Sequence, residues 1–207
     1  MNFTRRQALL AALFTACGAR GAHAQEPPLM LEGQPFARRA QVAGVELLLN
    51  GVGLRSVAWF KGYAAGLYLP APTASAAQAL ALPGPKRLQL RLLAMVSAGE
   101  FLKAMKKGIE RNAAAQDLPA LAPRVQRFGT QIAAVGRVNK GDVINLDFDP
   151  ERGLLFTLND SPRGEPIEGA DFYAAVLRSF IGEHPYDPAL KAGLLTPPAS
   201  SPARRGP

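Results

Sequence analysis

The sequence predicts an α+β domain in which helices pack on one face of a largely antiparallel sheet. Strand-like segments come first, one pair of helices is inserted between strands, and a second pair of helices comes last. This order is typical of an α+β domain, whereas a parallel sheet requires strands and helices to alternate. The organised body spans about residues 30–195, which is the size of one domain.

The strand signals are strongest in the first half of the body. Residues 42–69 are rich in β-branched and large apolar residues and contain five glycines. They predict several strands with bends or bulges at the glycines. Residues 88–92 alternate apolar and polar side chains, as a half-buried strand does. Pro83-Gly84-Pro85 directly before them predicts a turn.

A β-hairpin is predicted near the middle of the chain. Residues 143–148 alternate in polarity, residues 149–153 have turn composition, and residues 154–158 return. Asp147 and Asp149 share one face of the first strand with Val143 and Asn145. This face is predicted to be solvent-exposed, which disfavours an acid pair at these two carboxylates.

The inserted helices are predicted from capping and periodicity. Ser97 and Glu100 have the spacing of a capping box. Phe101, Met105 and Ile109 then recur every fourth residue along one face, and the lysine-rich remainder is predicted to be solvated. A second helix is predicted over residues 123–135.

The last two helices are predicted over residues 170–181 and 188–195. Gly182 followed by Pro185 is typical of a helix end, so these residues separate the two helices.

The N-terminus predicts a removable export signal over residues 1–24. Arg5 and Arg6 precede a short apolar run, and Ala22-His23-Ala24 offers a small-x-small cleavage pattern. The run is too short to span a bilayer. The arginine pair fits either a Sec or a twin-arginine signal. We therefore expect a periplasmic or secreted protein.

Two further processing features lie at the ends of the chain. Residues 15–18 resemble a lipoprotein box around Cys17, but Phe14 stands where an aliphatic residue is usual. Residues 196–207 are rich in proline and serine and predict a disordered tail.

Composition argues against several classes of function. The net charge of +8 falls to +5 without the three arginines of residues 1–24, and no basic stripe interleaved with aromatics supports nucleic-acid binding. Removing those residues also removes the only cysteine and one of the two histidines, leaving His184. No metal site and no cofactor are therefore predicted. Oligomeric state and protein partners stay open.

The candidate site is predicted from polar residues in apolar surroundings. Arg55 lies within an apolar strand segment, where a buried arginine requires an anion or a set of acceptors. A tight turn near residues 58–60 would place Tyr63 on the neighbouring strand. Ser179 shares a helix face with apolar residues and either bonds back to its own helix or faces a ligand. For Arg55, a structural ion pair and an anion or enolate site are both open.

Two segments at each end of the body carry a family resemblance. Residues 49–55 (LNGVGLR) with 61–69 (KGYAAGLYL), and residues 172–182 (FYAAVLRSFIG) with 190–195 (LKAGLL), resemble the chalcone isomerase superfamily. They are most similar to exported bacterial chalcone isomerase-like proteins, and the likeness covers about residues 36–195. It implies an open-faced β-sandwich with a ligand cleft between a large sheet and a helical layer.

The resemblance also implies a set of site residues. Arg55 matches the arginine that holds substrate oxygens in the plant enzymes, Tyr63 replaces a strand threonine, and Ser179 replaces a helix threonine. Phe101 lacks the hydroxyl of a family tyrosine, and Gly108 lacks the amide of a family asparagine. The implied ligand-binding residues are Arg55, Tyr63, Phe101, Gly108, Ser179 and Phe180.

Three functions follow as alternatives. The first is a non-catalytic protein that binds a fatty acid or similar apolar anion through Arg55. The second is an intramolecular lyase or isomerase acting on an enolisable substrate through Arg55, Tyr63 and Ser179. The third is an interaction module with a vestigial cleft. The first two predict a cavity at these three residues, and the third predicts that the space is filled.

Overall fold

The computed structural model describes residues 26–57 and 60–198. The predicted signal segment 1–24 and most of the predicted tail lie outside these residues. The strands are β1 Leu29–Leu31, β2 Gln34–Phe36, β3 Arg39–Val42, β4 Val45–Val57, β5 Phe60–Leu69, β6 Lys86–Leu92, β7 Val96–Ser97, β8 Arg137–Val138, β9 Val143–Asp149, β10 Gly153–Leu158 and β11 Ser161–Pro162. The helices are α1 Ala76–Ala81, α2 Ala98–Asn112, α3 Leu118–Val135, α4 Ala170–Ile181 and α5 Pro188–Leu194, with a short 3₁₀ turn at Ala115–Asp117.

In the described residues, seven strands form one antiparallel sheet in the order β11-β10-β9-β6-β5-β4-β3. The helices pack against one face of this sheet and enclose the main apolar core. The α+β prediction is therefore confirmed. No helix in the described part of the chain is both long and apolar enough to cross a membrane.

The sheet is curled into a half-barrel. Strand β3 contacts β9, although β4, β5 and β6 lie between them in the sheet. The concave face holds a second apolar cluster built on Phe36, Leu49 and Tyr68. This curl gives the face opposite the helices its own interior.

The prediction that the polar face of the hairpin is solvent-exposed is wrong, because the curl of the sheet encloses this face. Asn145 and Asp147 are 2% and 8% exposed, not solvated. Arg87 binds Asp147 through two hydrogen bonds of 2.7 and 2.6 Å, and Gln89 donates to Asn145 at 2.9 Å. The alternation identified the two faces correctly, but the sequence gives no local sign that both become enclosed.

Helix α2 follows the predicted pattern. Ser97 and Glu100 form a complete capping box, and Met105 and Ile109 are buried while Phe101 is half-buried against the core. The shared face of this helix is therefore the one that meets the sheet.

Helix α3 begins five residues before its predicted start at residue 123. Leu118 is its first residue and Pro119 lies in the first turn, where no intrahelical donor is required. Pro123 lies inside the helix and removes only one hydrogen bond from it. The predicted bounds of the last two helices are correct to within one residue.

Candidate functional site

Arg55 and Tyr63 lie directly opposite each other on β4 and β5. Strand β4 ends at Val57 and β5 begins at Phe60, so the intervening connection is as short as predicted. Tyr63 belongs to the partly buried residues that pack against the main core, on the helical side of the sheet. The sequence spacing thus correctly placed these two side chains together.

Arg55 forms an ion pair with Asp187. Arg55 Nη1 lies 3.1 Å from Asp187 Oδ2 and 3.4 Å from the carbonyl oxygen of Ser56. The side chains are 30% and 11% exposed. The ion-pair alternative is therefore present, yet Arg55 keeps enough exposure to meet a ligand.

Asp187 is also the N-cap of α5. Its Oδ1 accepts hydrogen bonds from the backbone N–H groups of Ala189 and Leu190, at 2.8 and 3.2 Å. Burial works to raise the pKa of this carboxyl, but these bonds and the bond from Arg55 outweigh it and hold the pKa below its usual value. The carboxylate therefore stays ionised, and its acceptor capacity is largely used.

Helix α5 reaches Arg55 because it lies almost on the backbone of β4. A Cβ added to Gly53 would stand 2.4 Å from the carbonyl oxygen of Leu190, and one added to Gly51 would stand 2.3 Å from that of Gly193. Buried Asn50 donates to the carbonyl of Leu194 at 2.8 Å. The expected bulge is present, since the β4–β5 register shifts between residues 49 and 51. The main role of the two glycines, however, is to admit this helix.

The helical side of the site is filled by Tyr186, which is the packing that the third alternative, a vestigial cleft, predicts for the space beside Ser179. Its ring lies against Gly108, where an added Cβ would stand 2.6 Å from Tyr186 Cε1 and 2.7 Å from Ser179 Oγ. Phe180 is buried and packs edge-on against Tyr186, with 4.9 Å between ring centroids. Ser179 donates to the carbonyl of Ala175 at 3.3 Å, which is the predicted bond to its own helix.

The two tyrosines of the site remain neutral at ordinary pH. Burial raises the pKa of Tyr63, the nearby Tyr186 phenol raises it further, and Arg55 partly offsets both effects. Burial likewise raises the pKa of Tyr186, an effect that the Ser179 hydroxyl reduces. Both phenols therefore keep their protons, so each has an O–H group available to donate a hydrogen bond.

The structure thus brings together five of the six predicted residues. Tyr63 pairs with Arg55 on the sheet and lies near Tyr186, and Tyr186 packs against Gly108, Ser179 and Phe180. Phe101 lies on the same helix as Gly108, two turns earlier.

Sequence reasoning missed Tyr186 and Asp187. A signal existed, because an aspartate directly before Pro188 is typical of an N-cap with proline in the first helical turn. This signal locates the start of α5, but it does not show that Asp187 contacts Arg55 on β4, 132 positions earlier in the chain.

A separate groove of about 660 Å³ lies where α2 and α4 end. Its lining combines Arg111, Arg178 and His184 with alanines of α1, of α4 and of the segment that follows α2. None of the six predicted residues lines this groove.

A curled antiparallel sheet, a helical layer on one face, and a polar cluster between them define an open-faced sandwich with a site under its helices. A family model described as chalcone isomerase-like matches residues 29–196. The chain therefore belongs to the chalcone isomerase-like family.

A solved structure supports the same fold. The crystal structure of a fatty-acid binding protein from Arabidopsis thaliana matches with a TM-score of 0.61 and 16% sequence identity. The match covers 79% of this chain and 92% of that chain. No curated protein sequence matches significantly.

Proposed function

We propose that the protein binds a fatty acid or a similar apolar anion between the sheet and helices α2 and α4, with Arg55 holding the head group and without catalysis. The observation that carries the proposal is an excess of hydrogen-bond donors around Arg55. The guanidinium and two neutral phenols lie near one carboxylate, Asp187, which is already bonded. The Ser179 hydroxyl is used within its own helix and adds no spare donor. Such a cluster favours a ligand that brings acceptor oxygens.

The ion pair with Asp187 is compatible with this role. Among the described residues, the protein contacts of the Arg55 guanidinium involve Nη1, while the group has five N–H donors. Asp187 can therefore orient one edge of the guanidinium while another edge receives a carboxylate. In this arrangement Asp187 orients the Arg55 guanidinium, and its negative charge offsets part of the positive charge that the ligand meets.

The apolar part of the ligand would lie along the half-buried aromatic residues that border the core, which include Phe101 and Tyr63. Each buried methylene contributes about 0.8 kcal/mol, which is roughly fourfold in affinity. Because Tyr186 occupies the space beside Ser179, the ligand enters by separating these side chains. Affinity should therefore rise with chain length until the space opened in this way is full. The Arabidopsis neighbour is a fatty-acid binding protein, which supports this class of ligand.

The chemistry of the cluster supports binding without catalysis. General acid–base catalysis needs a group whose pKa lies near the working pH. The pKa values of Tyr63 and Tyr186 are raised, and that of Asp187 is lowered. The groups around Arg55 can therefore hold an anion, but they are poorly suited to remove a proton from it.

The test is fatty-acid binding by wild-type protein and by Arg55→Ala, measured by titration calorimetry, with native mass spectrometry to identify co-purified lipid. Loss of a charge-assisted contact of about 1.5–3 kcal/mol predicts affinity weakened by about 10- to 150-fold. Arg39→Ala is the matched control, because Arg39 is also ion-paired but lies exposed on β3. Arg55→Ala alone leaves the Asp187 carboxylate without its partner. The double variant R55A/D187N also removes that charge, so it isolates the loss of the Arg55 contact with the ligand. Unchanged affinity in both Arg55 variants would refute the anchor.

We also propose export through the signal segment at residues 1–24, on the basis of its charge, apolar run and cleavage pattern. The mass of protein recovered from the periplasm or medium should correspond to a chain beginning at Gln25. Recovery of the intact chain in the cytoplasm alone would contradict this.

A further inference from the structure

The hydroxyl of Tyr186 stands out among the buried polar atoms. Within residues 26–57 and 60–198, it is the one enclosed side-chain oxygen or nitrogen that makes no hydrogen bond. Burial raises the pKa of Tyr186 and the Ser179 hydroxyl partly lowers it, as a neighbour at hydrogen-bonding range, but the two hydroxyls do not reach the geometry of a hydrogen bond, and Ser179 donates to the carbonyl of Ala175 instead. Native proteins rarely leave a buried polar group unpaired, because doing so destabilises the folded state.

The hydroxyl cannot easily turn away to find a partner. The Tyr186 ring fills the space over Gly108 and packs edge-on against Phe180. The backbone N–H of Tyr186 donates to the carbonyl oxygen of Ser179 at 2.9 Å. Phenylalanine would fill the same space without the unpaired oxygen, so packing alone does not explain a tyrosine here.

The polar groups nearby indicate which kind of partner is missing. Arg55 and the Tyr63 phenol are donors, and Asp187 already accepts from Arg55, Ala189 and Leu190. The Ser179 oxygen is an acceptor beside Tyr186, but it does not reach the geometry of a hydrogen bond with the Tyr186 hydroxyl. The surroundings of Tyr186 therefore contain spare donors and few acceptors that it can use. A group that completes this set must bring its own acceptor oxygens.

We propose that Tyr186 is a ligand-binding residue whose hydroxyl donates a hydrogen bond to the carboxylate of the bound fatty acid, beside Arg55. This inference rests on the proposed function and adds to it a head-group contact on the segment between α4 and α5. Because the hydroxyl is enclosed, the entering head group separates the side chains around it and is then itself shielded from water. A shielded hydrogen bond to a charged acceptor contributes more to affinity than an exposed one.

The experiment compares Tyr186→Phe with the matched control Tyr173→Phe. Tyr173 is a buried tyrosine whose hydroxyl donates to the carbonyl of Leu146 at 3.3 Å, whereas Tyr186 is partly buried and its enclosed hydroxyl has no such bond. Two quantities are measured for each protein: the unfolding temperature without ligand, and the dissociation constant for hexadecanoate by calorimetry.

Opposite signs are expected. Y186F should unfold at a higher temperature than wild type, because an unpaired buried hydroxyl is gone, and should bind hexadecanoate at least about tenfold more weakly. Y173F should unfold at a lower temperature and bind within twofold of wild type.

Two results would overturn the inference while leaving the proposed function in place. One is wild-type affinity in Y186F. The other is a lower unfolding temperature in Y186F, which would mean that the hydroxyl already has a partner in the free protein. If wild-type protein binds no fatty acid, the proposed function itself fails, and the assignment of Tyr186 to a carboxylate fails with it.

Discussion

Replacing Gly53 with alanine tests the connection between core packing and the candidate site. The added Cβ would stand 2.4 Å from the carbonyl oxygen of Leu190 and 3.0 Å from its Cα. Both are backbone atoms of α5, so no flexible side chain can yield. An ordinary contact begins near 3.4 Å, and the helix would have to retreat by about 1 Å.

This displacement affects stability and binding together. Overpacking of this kind costs about 1–3 kcal/mol, and a domain of this size loses roughly 2–4 °C of unfolding temperature per kcal/mol. We expect a decrease of about 3–10 °C. Because Asp187 caps the displaced helix, its bond to Arg55 should lengthen, and fatty-acid affinity should fall as well.

The assay is thermal unfolding followed by circular dichroism, with a denaturant titration to obtain the free energy of unfolding. Gly99→Ala is the matched control, since Gly99 lies in α2 and an added Cβ there meets nothing within 4 Å. The control should be as stable as wild type or slightly more so. Equal stability of the Gly53 and Gly99 variants would refute the close-packing argument.

Three further predictions concern buried polar contacts. Asp187→Asn should lose stability relative to wild type at neutral pH, with the difference shrinking below about pH 4. The folded state lowers the pKa of Asp187, so this carboxylate stabilises the fold at pH values above its pKa in the unfolded chain, and the stabilisation disappears on acidification. A difference in denaturation midpoints that does not change with pH would contradict this prediction. Arg87→Ala should cost about 3–5 kcal/mol in denaturant titrations because it leaves Asp147 buried and unpaired, and a loss under 1 kcal/mol would be inconsistent with that burial. Asn50→Ala should cost about 1–3 kcal/mol by removing the bond to the Leu194 carbonyl and the bond accepted from the backbone N–H of Thr73, whereas an unchanged midpoint would show that these two bonds contribute nothing.

Local patterns predicted the elements that depend on neighbouring residues. The capping box at Ser97 and Glu100 fixes the start of α2, and Gly182 marks the end of α4. The start of α3 was predicted wrongly because Pro123 suggested a first turn, while Pro119 already supplies one. Short strands such as β7 and β8 carry too few residues for a periodic signal.

The candidate site was likewise predictable only where its residues are close together in the sequence. Arg55 and Tyr63 are close in sequence, so a single turn brings them together. Asp187 and Tyr186 join them only through tertiary packing of α5 and α4. The wrong prediction for Asn145 has the same origin, because sheet curl arises from contacts between distant strands.

The packing of α5 on β4 affects the order in which the protein can fold during synthesis. Arg55 and Asp187 are 132 positions apart in the chain, so a ribosome releases the strand long before the helix that covers it. Contacts over such separations form slowly, because a long loop must close first. The nascent protein therefore carries an uncovered glycine surface and an unpaired Arg55 until residues 187–194 emerge. The candidate site is assembled only after that point.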